Sequence, residues 1–382
     1  MQRKHYDADH LAFAEAVRTF IGKQMLPYYL EWERAGLAPR ELFTLAGSNG
    51  FLGMQVPEEY GGGGVADFRF NQILGEELML SGVGAAGLGI TLHNDICLPY
   101  FLSYCTEEQK QRWLPGIASG ELITAVAMTE PGAGSDLAGI RSSAVADGDD
   151  LIVNGAKTFI TNGINADLVI TAVRTSADRH HGLTLVILER GMPGFERGRN
   201  LDKLGMHSQD TAELSFTDVR VPRANVLGEV GAGFLGLVSN LPQERMSIAI
   251  SGVAGARAAL NWTLDYVRER KAFGNSLGSL QNSRFVLAEL ATEVDVTQAY
   301  VDRCVDALLV EDLTVEDAAK AKWWATELQG RAVDKCLQLH GGYGYMQEYP
   351  IARAYVDARV TRIYGGATEI MKEIIGRSLK LG

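Results

Sequence analysis

Glu244 and Arg245 set an acid beside a base at the head of a run of small and apolar residues, 246–260, which only Arg257 interrupts with charge. A helix apolar on nearly all its faces is a buried one, so the carboxylate at its start is expected to be partly desolvated. Desolvation disfavours the charged form and lifts a glutamate above its usual value of about 4.3, which suits proton abstraction near neutral pH. The same letters admit a plainer reading, with Asn240 as helix N-cap, Gln243 closing a capping box and Glu244 complementing the helix dipole.

Two further stretches carry groups suited to a ligand. Residues 128–136 (MTEPGAGSD) follow a strand directly. Gly132 and Gly134 would let backbone NH groups approach a ligand, while Thr129 and Ser135 supply hydroxyls. Residues 157–163 (KTFITNG) end a strand with an aromatic and polar groups, so Phe159 would offer a flat face to a heterocycle or else join the core. Residues 231–236 (GAGFLG) match the GxGxxG pattern, but the stretch before them is polar and the preceding strands read as antiparallel, which argues against a dinucleotide fingerprint. The glycines at 61–64 have no strand before them and no GK[ST] after, and read as a connection.

The elements that must hold these groups fall into three blocks: residues 1–121 helical, 122–229 a β domain, and 230–382 a helical bundle. Asp9 is expected to cap a helix whose apolar positions are Leu11, Ala14, Val17, Phe20 and Ile21, ending or bending at Pro27. Residues 106–109 (TEEQ) read as a capping box for another. From residue 122 the period turns to two, with a strand at 122–128, a hairpin over 150–160 turning at Asn154-Gly155, and strands at 168–173, 183–188 and 212–216. No helical period lies between them, so antiparallel pairing is expected, ending near Pro222. Helical segments then run through roughly 233–270, 279–310, 316–340 and 350–379. A bundle of these would bury Leu287, Leu290, Val294, Val305, Leu308, Trp323, Leu328 and Leu337.

At 382 residues, 46% hydrophobic and 22% charged, the chain has the make-up of a globular protein of more than one domain. A net charge of -11 argues against nucleic acid or an anionic membrane as the main partner. No apolar run is long enough to span a membrane, and the N-terminal stretch lacks the apolar region of a signal peptide. The expected setting is cytoplasmic. Cys97, Cys105, Cys304 and Cys336 form no CxxC pair, and the seven histidines no HExxH pattern, so no metal site is expected; His180-His181 reads as a solvated pair.

The strings AMTEPGAGSD, KTFITNG, GMHSQDTAELSFTDVRVP, LPQER, ERKAFG, QLHGGYGY and EYPIARAYVDARVTRIYGGATEI stand in an order and spacing that resembles the acyl-CoA dehydrogenase family over almost the whole chain. The resemblance implies a mainly α fold with a central β domain, namely N-terminal helices, an antiparallel β domain and a C-terminal four-helix bundle. It also implies bound FAD, a homotetramer, an acyl-CoA substrate and an electron-transferring flavoprotein as acceptor. Carried onto this chain, it assigns Met128, Thr129, Gly134, Ser135, Phe159, Ile160 and Thr161 to the flavin from one subunit. Arg270, Lys271, Gln281, Gln338, Gly341 and Gly342 are implied to reach a neighbouring subunit's flavin, with Thr368 and Glu369 also at the cofactor. Ser135, Gln243, Arg245 and Tyr364 are implied to meet substrate. A guanidinium at Arg270 would fit a pyrophosphate; without the resemblance it reads as a solvated charge.

One departure decides the chemistry. Many family members carry their catalytic glutamate directly after the tyrosine of the last motif, whereas here Tyr364 is followed by Gly365. The long-chain and isovaleryl members place it at the position of Glu244, and LPQER and YGGATEIMKE resemble the long-chain members especially. The resemblance thus implies that Glu244 abstracts the α-proton of an acyl-CoA while the β-hydride leaves to the flavin, as in fatty-acid β-oxidation. It further implies that the Gly365 NH, with a flavin hydroxyl, steadies the thioester oxygen. Ala367 replaces the threonine often found there. The alternatives are a flavin oxidase or monooxygenase on the same fold, an inert acyl-CoA/FAD-binding homologue, and a dehydrogenase for branched, aryl or steroid-derived acyl groups.

Overall fold

The computed structural model describes residues 3–179 and 181–381. Helices come first: α1 (Ala8–Gln24), α2 (Tyr29–Ala35), α3 (Glu41–Ser48), α4 (Phe68–Leu80), α5 (Gly84–Thr91), α6 (Leu98–Tyr104) and α7 (Glu107–Ser119). A π-helical turn, Leu92–Cys97, joins α5 to α6. Asp7 rather than Asp9 caps α1, its carboxylate accepting from the backbone NH of Asp9 and His10. Asp9 sits inside the first turn, where a negative charge still complements the dipole. The Thr106 and Gln109 capping box forms as expected.

The strands are β1 (Thr124–Ala127), β2 (Ser143–Asp147), β3 (Asp150–Thr161), β4 (Leu168–Arg174), β5 (Leu183–Glu189), β6 (Phe195–Asn200), β7 (Thr211–Pro222) and β8 (Val226–Leu227). Their order is β6-β7-β3-β2-β4-β5-β8, with β1 paired to β4. Two expectations fail here. Asn154-Gly155 is not a turn: β3 runs straight through it, with a register shift against β7, and the chain reverses instead between β2 and β3 at Gly148 (φ +61°). The pairing is not wholly antiparallel either, since β1 runs parallel to β4, as does the first residue of β2, Ser143. Residues 128–140 and the β2–β3 hairpin form the crossover from β1 to β4, so no helix is needed to bring the parallel strand back. Beyond Pro222, β8 adds a last short strand against β5.

Then follow α8 (Gly233–Glu269), a small hairpin of β9 (Lys271–Ala272) and β10 (Asn275–Ser276), α9 (Gln281–Leu309), α10 (Val315–His340), α11 (Pro350–Asp357) and α12 (Thr368–Ser378). The segment expected at 350–379 is thus broken, passing through a 3-10 turn, Ala358–Arg362, and the glycines 365 and 366. α8 starts well before Asn240, which overturns the capping-box reading of Asn240 and Gln243. Buried Gly233, Gly236 and Leu237 pack it onto the sheet and Tyr104, so tertiary contact carries the helix through Pro242. Glu244 therefore stands in the body of a helix and not at its dipolar end. In the bundle Leu287, Leu290, Val294, Val305 and Leu328 are core, with Leu308 and Leu337 packed at its edge. Trp323 is not in the core; it is half-buried, with Lys372 over its ring.

Candidate active site

Glu244 is 4% exposed, on the face of α8 that meets α6 and the π-helical turn. The Tyr100 hydroxyl donates to its Oε1 at 2.9 Å. Burial raises the carboxyl to about 7; the Tyr100 hydrogen bond and the charge of Arg245 oppose this without cancelling it. The residues on either side of Glu244 tie α8 to Asp95 in the π-helical turn. Gln243 Nε2 donates to the Asp95 carbonyl at 2.8 Å, and Ser247 Oγ to Asp95 Oδ2 at 2.5 Å. Asn71 from α4 donates to the other carboxylate oxygen at 2.7 Å, and burial also raises Asp95 to about 7. The extra residue of a π-turn re-aims the side chains that follow it, and here Tyr100 follows, pointed at Glu244.

Arg245 is also buried, and its Nε and Nη1 have no partner among the described residues. It forms no ion pair with any described residue. Lys322 on α10, wholly buried, lies near enough for the two charges to oppose each other. Burial first, and Arg245 second, lower Lys322 to about 8. Its Nζ donates to the Gly366 carbonyl at 2.6 Å and pins the loop after Tyr364. Gly365 has φ +63°, a conformation that disfavours any residue with a Cβ, and a Cβ there would collide with Ile248 Cδ1, one turn beyond Glu244 on α8. The loop and Glu244 thus face each other across Ile248.

The other expected site residues fall into two groups. In the first, Met128 and Thr129 are half-buried, and Gly134 and Ser135 exposed. Lys157, fully buried, donates to Glu130 Oε1 at 2.9 Å and to the Met128 carbonyl at 3.1 Å, fastening this loop to β3. Two residues along, Phe159 is 69% exposed with φ +60°, where the β3–β7 register shifts between Lys157 and Ile160. The bulge turns the ring out of the core and leaves Ile160 in it, with Thr161 half-buried. A β-branched-free aromatic held at positive φ on the surface is strain that the fold alone does not use. In the second group Arg270, Lys271, Gln281, Gln338, Gly341 and Gly342 are all exposed. The Arg270 guanidinium lies 5.4 Å from the centre of the Tyr343 ring, which gathers the end of α8 with the glycine turn after α10. Thr368 is buried and bonded to Glu327 at 3.2 Å, whereas Glu369 is exposed. Tyr364 is half-buried and lines a cleft between α4, α5, α8 and α11.

Sequence reasoning missed Tyr100, Asp95, Lys157 and Lys322. For Lys322 there was a signal, since it shares a helical stripe with Ala318, Ala325 and Gln329, all core positions. The exposed ring of Phe159, the open space around Gly132 and Gly134, and the fastened loop between them fit a flat heterocycle with a polar tail. Residues 231–236 open α8 after a strand paired antiparallel to β5, and show no dinucleotide geometry. Among the described residues no metal-binding cluster is found, the four cysteines are free, and no helix is long and apolar enough to cross a membrane. His180 lies outside the described residues; His181 is exposed.

Three family models match the chain: acyl-CoA dehydrogenase N-terminal domain over residues 7–121, middle domain over 125–219 and C-terminal domain over 231–380. The chain is 46% identical over 380 residues to the mitochondrial long-chain specific acyl-CoA dehydrogenase of Rattus norvegicus, covering 99% of this chain and 88% of that one. It superposes on an acyl-CoA dehydrogenase from Geobacillus kaustophilus with a TM-score of 0.97 at 48% identity over the whole of both chains. A glutaryl-CoA dehydrogenase from Mycobacterium smegmatis in complex with FADH2 superposes with a TM-score of 0.92 at 27% identity, over 98% of this chain and 95% of that one.

Proposed function

The chain belongs to the acyl-CoA dehydrogenase family and is an FAD-dependent oxidoreductase, and from that premise we propose that it oxidises long-chain acyl-CoA thioesters to trans-2-enoyl-CoA with Glu244 as base. The observation that carries this reading is the pairing of a buried, hydrogen-bonded carboxylate at 244 with a position, 365, whose backbone disfavours a side chain.

Bound FAD supplies the acceptor for the β-hydride; Thr129, Gly134, Ser135, Phe159, Ile160 and Thr161 would hold it from one subunit, with Met128, Thr368 and Glu369 beside it. Arg270, Lys271, Gln281, Gln338, Gly341 and Gly342 would serve the flavin of a neighbour in a homotetramer. The chain's own task is the α-proton. A carboxyl raised to about 7 is substantially ionised at neutral pH and more basic than a solvated glutamate, and both are needed to take a weakly acidic proton. Tyr100 holds Oε1, leaving the second oxygen for the proton, and the Asp95 ties to Gln243 and Ser247 fix the backbone around it. Gln243 in this reading orients the helix and does not touch the acyl group. As charge builds on the thioester oxygen, the Gly365 NH donates to it, and Lys322 keeps that loop in place. Arg245, with two unpartnered nitrogens, would offset negative charge on Glu244 or substrate.

To take a long acyl chain, the cleft lined by Tyr364, Thr361 and Ser251 would have to widen, since Met79, Leu78, Trp262 and Gln329 lie against its glycines 84, 87, 82 and 255. Electrons would pass to an electron-transferring flavoprotein, in fatty-acid β-oxidation, and free cysteines suit a reducing cytoplasm. The test is anaerobic titration of the FAD-loaded protein with butyryl-, octanoyl-, palmitoyl- and stearoyl-CoA, following flavin absorbance. Bleaching by the long thioesters supports the proposal. Rapid reoxidation in air would point to an oxidase, and no bleaching by any thioester to an inert homologue.

A further inference from the structure

From Glu244 the positions Ile248, Ser251, Gly255, Ala258 and Trp262 continue one face of α8, and the last four line the cleft. Across it stand α4 and α5, and between the two walls lies Met79, near the end of α4. Its side chain occupies a notch made by two glycines. A Cβ at Gly84 would collide with Met79 Sδ, and one at Gly255 would come within 2.9 Å of Met79 Cε. Gly255 is eleven residues along α8 from Glu244, about 16 Å at the helical rise. Past the notch the cleft continues to Gly82 and Trp262, where a Cβ at Gly82 would lie 3.2 Å from the indole. The side chain in this notch is therefore unbranched, half-buried and seated against two glycines, with Gln329 also packed at Gly255. A thioether with three rotatable bonds adapts to what lies against it, which a leucine or phenylalanine in the same notch could not do.

We propose that Met79 is the specificity-determining residue for acyl length, a movable floor against which medium chains end and which long chains displace toward Trp262. The inference rests on the acyl-CoA dehydrogenase reading above. Its test is to compare wild type, Met79→Phe and Met79→Ala, each loaded with FAD, for kcat/KM across the same four thioesters, with FAD content and Tm measured for each variant. Met79→Phe is expected to lose about tenfold or more on palmitoyl- and stearoyl-CoA with butyryl-CoA unchanged, and Met79→Ala to gain on stearoyl-CoA relative to octanoyl-CoA. Parallel losses on all four substrates, or no change in their ratios, would overturn the proposal, because a merely structural methionine would not sort chains by length. Should Met79→Phe fail to fold, the ratio of stearoyl- to octanoyl-CoA in Met79→Ala decides alone. If wild type bleaches with none of the thioesters, the parent reading fails and this one with it; an active wild type with unsorted variants sinks only the floor.

Discussion

Position 244 and position 365, to which the proposed mechanism gives the α-proton and the thioester oxygen, are built in opposite ways. Glu244 stands in the body of a 37-residue helix, its carboxylate held by Tyr100 and its neighbours tied to Asp95. Gly365 lies in an irregular loop at positive φ, held through the carbonyl of the next residue by Lys322. The helix can fix a side chain because every backbone group around it is already bonded. The loop favours bare backbone, because its positive φ suits glycine and the end of Ile248 lies where a side chain would start. Under the proposed mechanism, the difference teaches why a base would sit on the rigid wall and a backbone donor to the thioester oxygen on the glycine wall.

The strongest way to break this division is Glu244→Gln. It should lower the rate of flavin reduction by about three to four orders of magnitude with FAD still bound, read by anaerobic stopped-flow absorbance. Retention of the original rate would place the base elsewhere. Next in size is an attempt to move the base across the site. Adding Gly365→Glu to Glu244→Gln should leave the enzyme inactive, and adding Ile248→Ala as a third change should restore part of the rate by clearing the loop. Gly365→Ala alone should cost about 1–3 kcal/mol in urea unfolding, from the positive φ and the collision.

The pH dependence sharpens the contrast, since Glu244 and Asp95, both raised to about 7, belong to the helical wall, while Lys322, lowered to about 8, holds the glycine loop. Burial raises the Glu244 carboxyl from 4.5 to about 7, so the rate of reduction should rise with pH through about 7. The folded state binds this proton more tightly than the unfolded one. The stability it confers is whole below the unfolded value, declines as pH rises, and is lost above about 7. Glu244→Gln should accordingly be the more stable protein at pH 8, by on the order of 3 kcal/mol, and the advantage should vanish near pH 4, as measured by thermal melting. The smallest effect belongs to Tyr100→Phe. Removing the hydrogen bond that favours the carboxylate should move the rate profile to higher pH by about one unit or less, with FAD content unchanged.

Much of this was legible in the letters, and what was not has physical causes. The change of period near residue 122 and the long apolar stripes after 230 located the β region and the bundle, because those signals come from burial itself. Asn154-Gly155 misled because a dipeptide that favours positive φ serves a bulge as readily as a turn, and the true reversal at Gly148 lay a few residues earlier. The start of α8 was missed because Gly233 and Gly236 are helical only by virtue of what they pack against. Glu244 stood out as an acid before an apolar run, but that stretch alone also allowed a helix cap. It was the glycine at 365, read through the family resemblance, that favoured it as the base. Tyr100, Asp95 and Lys322 were not visible, since each acquires its role from a contact 44 to 152 positions away.

The backbone at Gly365 also bears on how freely this loop can be altered. A side chain added there meets only the Cδ1 of Ile248, the free end of a flexible side chain, so rotating or trimming Ile248 relieves that collision, whereas the positive φ remains. The geometry of the chain itself, more than one methyl group, is what reserves this position for glycine.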